Sequence, residues 1–196
     1  MKTITMNAEF VRAAQACQAK NDARYYLNNI CIMPQGKIAG TNGHILYTGQ
    51  YTEDADNMVD ANVIIRIFGN IPASSETVVF TFSDENTGTC ETDNKKLFLF
   101  EVIDGVYPDI TKVIKPDSAY DSGDFSNGFG VNSEYLALMQ KIFGRGAMVD
   151  IHHGTEMEIM MIKMLRTGCD FSESSRVFLM PCRVDGGFRT TADAEE

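Results

Sequence analysis

The stretch from Arg24 to Gln50, RYYLNNICIMPQGKIAGTNGHILYTGQ, decides the fold. Residues 24–33 are rich in aromatic and β-branched side chains, and Pro34-Gln35-Gly36 then turns the chain. Residues 37–41 and 44–51 read as two more strands around Thr41-Asn42-Gly43. Asn-Gly between apolar runs is a tight-turn signal. Here a histidine follows it, and Ile45, Leu46 and Tyr47 resume the strand. The turn could simply close a hairpin, or it could also present His44 to a ligand.

The same organisation extends to either side. Residues 2–6 alternate weakly as a short strand, and Asn7 is a good helix N-cap with Glu9 in the first turn. Phe10, Ala13, Ala14 and Cys17 recur at the spacing of a buried helical face. The first fifty residues thus read strand, helix, then three strands. Residues 60–70 predict a second helix, with Val63, Ile64, Ile67 and Phe68 on one side and Arg66 on the other, stopped at Gly69-Asn70-Ile71-Pro72. Strands at 76–82, 87–92 and 95–102 follow. Residues 103–125 contain Gly105, Pro108, Pro116 and Gly123 and read as linker. A third copy then begins with a short strand at 128–131 and the N-cap Asn132. Tyr135, Leu138, Met139, Ile142 and Phe143 form its apolar helix face, ended by Gly144. Strands near 147–152, 156–164 and 176–183 complete it. The fold class is therefore α+β, built from three β-α-β-β-β units with helices on one face of antiparallel sheets. The domain division is 1–114 for two units, 115–125 for a linker, 126–184 for a half-domain of one unit and 185–196 for a polar, disordered tail.

Composition narrows the function. The chain has 196 residues, 44% hydrophobic, with a formal charge of −10. No apolar run is long enough to cross a bilayer, and MKTITMNAEF lacks the apolar stretch of a signal peptide. The five cysteines are scattered and form no CxxC pair, which points to reduced thiols in a cytoplasmic protein. The acidic balance argues against coating DNA by charge, but leaves open a locally basic channel that holds DNA loosely. His152 and His153 are adjacent in a strand-like run and so point to opposite sides. With Glu156 and Glu158 nearby, a solvated turn is a better reading than a metal site. There is no nucleophile elbow, zinc-protease motif, P-loop or dinucleotide fingerprint. The Met-rich run EMEIMMIKML (156–165) reads as core packing. Neither catalysis, nor a metal, nor a cofactor is expected.

Three stretches carry a family resemblance. RYYLNN…GTNGHIL resembles the RYYLNG…ATDGHRL signature in the middle domain of the bacterial DNA polymerase beta sliding clamps. EVIDGVYPDITKVI (101–114) is similar to their LVDGRFPDYRRVL, and VFLMPCRV (177–184) to their C-terminal YVVMPMRL. The resemblance covers residues 1–184 and implies a shortened clamp-like chain: one complete domain like the middle domain, plus the second half of the last. It implies a ring of such units with helices lining a DNA-sized hole, no enzymatic activity, and a pocket for short QLxLF-type peptides of polymerases and repair proteins. Carried over position by position, the peptide-binding residues are Arg24, Leu27, Thr41, Gly43, His44, Leu46, Met180, Pro181 and Arg183. The competing reading makes Leu27, Leu46 and Met180 plain core. Asn42, Ile45 and Cys182 depart from the family pattern, replacing an aspartate, an arginine and a methionine.

On the predicted helices the basic residues away from the apolar stripes are Arg12, Lys20, Arg66, Lys141 and Arg145, against Glu9, Asp60 and Glu134. They are the candidate DNA-facing set, although solvated helix faces often look alike. The expected partners are DNA without sequence preference and clamp-binding proteins; no membrane is expected. Three units per chain and twelve per family ring suggest a homotetramer, with a dimer next. The alternative function is a clamp mimic that binds clamp partners or a clamp subunit without encircling DNA.

Overall fold

The structure is a computed structural model and describes residues 2–115, 120, 130–152, 159–165 and 170–180. Strand β1 (Thr3–Asn7) alternates exposed and buried, with Ile4 and Met6 turned inward. Helix α1 (Ala8–Cys17) follows at once. The Asn7 side chain accepts the Glu9 N–H and caps it, and Phe10, Val11, Ala13, Ala14 and Cys17 are buried. Strands β2 (Ile30–Met33), β3 (Lys37–Thr41) and β4 (Ile45–Gln50) come next. The helix lies directly on β3, where a Cβ added at Gly40 would fall 2.0 Å from the Ala14 carbonyl oxygen.

The second unit corrects an expectation. Residues 60–70 are not helix; Val63–Ile67 is strand β5. Val63, Ile64, Ile65 and Ile67 are all β-branched, which favours extended backbone. Ile65 faces the core beneath the helices, and Ile64 faces a second core on the other side of the sheet. A strand covered on both faces loses its two-residue alternation, and its apolar spacing then imitates a helix. No helix joins β5 to β6 (Thr77–Phe82); residues 68–76 form a loop beside α1. The Arg12 guanidinium donates to the carbonyls of Pro72 (3.0 Å) and Ser75 (2.7 Å). The Gln15 amide donates to the Gly69 carbonyl and accepts from the Ile71 N–H. Strands β7 (Thr87–Thr92) and β8 (Leu97–Val102) follow.

Residues 103–115 pack down instead of hanging free, around a short 3-10 turn at Ile110–Lys112. Tyr107, Ile110 and Tyr120 are buried in the outer core with Leu46, Met161 and Phe178. The third unit has helix α2 (Ser133–Phe143), capped by the Asn132 side chain and ended at Gly144 with φ +91°. Strands β9 (Val149–His152) and β10 (Met160–Met164), a short helix α3 (Asp170–Ser174) that the sequence reading lacked, and β11 (Arg176–Leu179) complete it. Of the strand expected at 128–131, the described part shows only a bridge at Gly130, and the polar tail lies outside the described residues.

All described strands join one antiparallel sheet, in the order β1-β6-β7-β8-β5-β2-β3-β4-β11-β10-β9. The first two units exchange their leading strands: β1 adds to β6, and β5 adds to β2. β11 pairs with β4 and so attaches the third unit to the first. α1 and α2 pack together on the inner face, and Met139, Ile142 and Phe143 of α2 join the core of α1.

Candidate functional site

The Thr41–Ile45 turn is held by its own side chains. Asn42 Oδ1 accepts from the N–H groups of His44 (2.9 Å) and Ile45 (3.0 Å). Thr41 Oγ1 donates to the Ile45 carbonyl (2.7 Å) and accepts the Gly43 N–H (3.0 Å). Gly43 has φ +91°, a conformation that disfavours any side chain. The register Leu179↔Ile45 brings the end of β11 beside the turn, and the Met180 N–H donates to the His44 carbonyl (2.9 Å).

A cavity of about 230 Å³ opens at this junction. Arg24, Leu27, Thr41, Gly43, His44, Leu46 and Met180 all line it. The sequence nominated these seven, and the fold brings them together from three separate segments. Pro181 and Arg183 lie outside the described residues. Ile45, Pro108, Asp109, Ile110, Val113, Ile159 and Phe178 complete the lining and were not nominated. Pro108 to Val113 lie within the 101–114 motif and Phe178 within the 177–184 motif, so the signal for them was already in the quoted stretches. Leu27 (1% exposed) and Leu46 (6%) are buried as well as pocket-lining, whereas Met180 (48%) stands open to solvent. The two readings of these leucines therefore coexist: they are core and pocket floor at once.

Charge sits at one rim. Arg24 clasps Asp22 through Nε to Oδ1 (3.0 Å) and Nη2 to Oδ2 (2.8 Å). The Arg24 side chain, aided by its backbone N–H, pulls the Asp22 carboxyl down to about 2. His44 stacks on Tyr135 of α2, with ring centroids 6.4 Å apart and planes 18° off parallel. The histidine thus stands between the apolar cavity and the helical face of the sheet.

The candidate DNA-facing residues divide. Arg12, Lys20, Lys141 and Arg145 line one groove between α1 and α2. Arg66 does not belong with them, because it lies on strand β5 and pairs with Glu101 of β8 at 2.7 Å. Arg12 is half-buried, and its Nη1 donates to two carbonyls of the 68–76 loop. His152, expected in a solvated turn, instead ends strand β9 with its side chain largely covered and contacts Asp150 at 2.7 Å, while His153, Glu156 and Glu158 lie outside the described residues. Among the described residues no helix is long and apolar enough to span a membrane.

Comparison of the whole structure with solved ones is decisive for the fold. The chain superposes on a DNA polymerase sliding clamp from Pseudomonas aeruginosa, solved with a ligand, at TM-score 0.60 and 15% identity, covering 93% of this chain and 66% of that one. It matches the DNA polymerase III beta chain of Streptococcus pneumoniae at TM-score 0.63 and 14% identity, covering 94% and 65%. For the sliding clamp of Caulobacter crescentus the values are 0.60, 16%, 93% and 65%. The chain has the sliding-clamp fold. It spans just under two thirds of the length of these clamps. No protein-family model matches it, and no curated protein matches its sequence.

Proposed function

We propose that this protein is a non-enzymatic, clamp-like replication factor that tethers polymerases or repair proteins to DNA through a short peptide seated in the cavity beside His44. One observation carries the reading: seven residues nominated from the sequence motifs converge on one apolar cavity at the β4–β11 junction. Apolar floors at Leu27, Leu46 and Phe178 suit leucine and phenylalanine side chains, and the Arg24 and His44 rim suits the polar residues beside them. DNA would run over the α1–α2 face, with Lys20, Lys141 and Arg145 against phosphates and no base reading. The compartment in this reading is the cytoplasm.

The test is fluorescence anisotropy with a labelled QLxLF-type peptide. Wild-type protein binds, and Met180→Ala weakens binding about tenfold, roughly 1.4 kcal/mol, while its melting temperature is retained. No binding by the wild type at high micromolar peptide sinks the proposal. A second reading, the clamp mimic that binds partners without encircling DNA, is favoured by the missing helix of the second unit and by the engagement of Arg12, which together thin the basic helical face. Retention on closed circular DNA that is lost on linearisation selects the encircling form.

A further inference from the structure

The turn beside the cavity contains a chemically labile pair, Asn42-Gly43. An asparagine side chain is most open to attack by the next backbone nitrogen when glycine follows, because glycine has no side chain to obstruct the approach. Each residue of the pair has its own reason to be there. Gly43 has φ +91°, and an added Cβ would fall 3.2 Å from Arg24 Nη2. Asn42 supplies the oxygen that the His44 and Ile45 amides need. We infer that Asn42 is a site of spontaneous deamidation that the folded turn holds shut, with the Thr41 hydroxyl as its latch. The Gly43 nitrogen attacks Asn42 Cγ, the new Cγ–N bond closes a cyclic imide, and ammonia leaves with the proton that Gly43 gives up. Water then opens the imide at either carbonyl. One opening leaves aspartate at 42, and the other leaves isoaspartate, whose main chain runs through the former side-chain carbon.

Three hydrogen bonds stand against the first step. The attacking nitrogen has its proton directed at Thr41 Oγ1 (3.0 Å). The carboxamide under attack is fixed by the two amides that donate to its oxygen, at 2.9 and 3.0 Å. The Thr41 hydroxyl cannot turn away, because it donates to the Ile45 carbonyl (2.7 Å). Ring closure needs the Asn42 carbonyl carbon to swing onto the Gly43 nitrogen, so these bonds must open together. The Arg24 guanidinium lies over Gly43, where a cation favours a deprotonated amide, but Asp22 clasps it and offsets its charge. Gly43 is exposed, so water reaches the turn. The two products differ in their effect. Aspartate keeps the oxygen in place. Isoaspartate lengthens the main chain between Thr41 and Gly43 and displaces His44, whose carbonyl accepts the Met180 N–H. Loss of peptide binding in the isoaspartate fraction follows, and that consequence alone rests on the proposed function.

The test needs no peptide ligand. The full chain and a synthetic peptide of residues 38–48 are incubated side by side at mildly alkaline pH. Peptide mapping with isoaspartate detection then follows Asn42, separately from the Asn127-Gly128 pair, which lies outside the described residues. The folded chain should modify Asn42 about a hundredfold more slowly than the peptide, since three modest hydrogen bonds must open at once. Thr41→Val, which removes the hydroxyl, should be roughly tenfold faster than wild type. Thr41→Ser keeps the hydroxyl and should stay at the wild-type rate. If Thr41→Val does not fold, the comparison of wild type with peptide decides. A wild-type chain modified at the peptide's rate overturns the inference, as does a folded Thr41→Val at the wild-type rate or a Thr41→Ser as fast as Thr41→Val.

Discussion

One oxygen of Asn42 holds two amides of the turn, those of His44 and Ile45. The aspartate of the clamp pattern has an oxygen in the same place, so this departure from the pattern leaves the turn intact. Asn42→Ala should cost about 1–2 kcal/mol in urea unfolding, the worth of two modest hydrogen bonds, while Asn42→Asp should be nearly neutral. Asp22 gives a pH signature. Its folded pKa lies near 2, below the ordinary 3.8, because Arg24 holds the charged form. A depressed carboxyl contributes stability that is complete above its unfolded pKa and is lost as pH falls through the folded one. The melting-temperature gap between wild type and Asp22→Asn should therefore be constant from neutral pH down to about 5 and close between about 4 and 2. A gap that persists at the acid end would show that Arg24 does not hold the carboxylate in solution. Leu27 shows how a pocket residue can mislead. At 1% exposure its truncation to alanine should cost about 2–5 kcal/mol of stability, so Leu27→Ala reports on the core before it reports on binding.

Elements were legible where a local chemical signal marked them. Asn7 and Asn132 cap α1 and α2 as their positions suggest, and Gly144 ends α2. β5 was not legible, since Ile64 and Ile65 are buried on opposite faces and no alternation survives. Nor was the burial of Tyr107 and Ile110, which depends on a sheet face assembled from strands distant in sequence. The pocket was legible only because the motifs marked it; spacing alone does not connect Arg24 with Met180. The 68–76 loop, which joins β5 to β6 with no helix between them, is held by α1, and this can be tested. Arg12→Met removes two bonds from a charged donor and leaves the Pro72 and Ser75 carbonyls without them. The expected cost is about 1.5–3 kcal/mol, with faster amide exchange at Ile71, whose N–H depends on Gln15. Exchange that stays at the wild-type rate would mean the loop holds itself.

At the scale of the whole molecule, a chain of charge −10 repels DNA at long range, so any grip must come from the local groove between α1 and α2. Lys20, Lys141 and Arg145 are exposed there, whereas Arg12 is engaged with the loop. On the proposed function, this difference separates the candidate phosphate contacts from the structural arginine. Each phosphate contact releases counterions and steepens the fall of affinity with salt by about 0.9 in log–log slope. The Lys141→Ala, Arg145→Ala double variant should therefore flatten the salt dependence of binding to closed circular DNA by about 1.8, two contacts' worth. Arg12→Met should leave the slope unchanged and act only through stability. Peptide binding should survive in the double variant, because the cavity beside His44 contains neither residue. A double variant with the wild-type slope would remove the α1–α2 face from the DNA path and leave the mimic reading in its place.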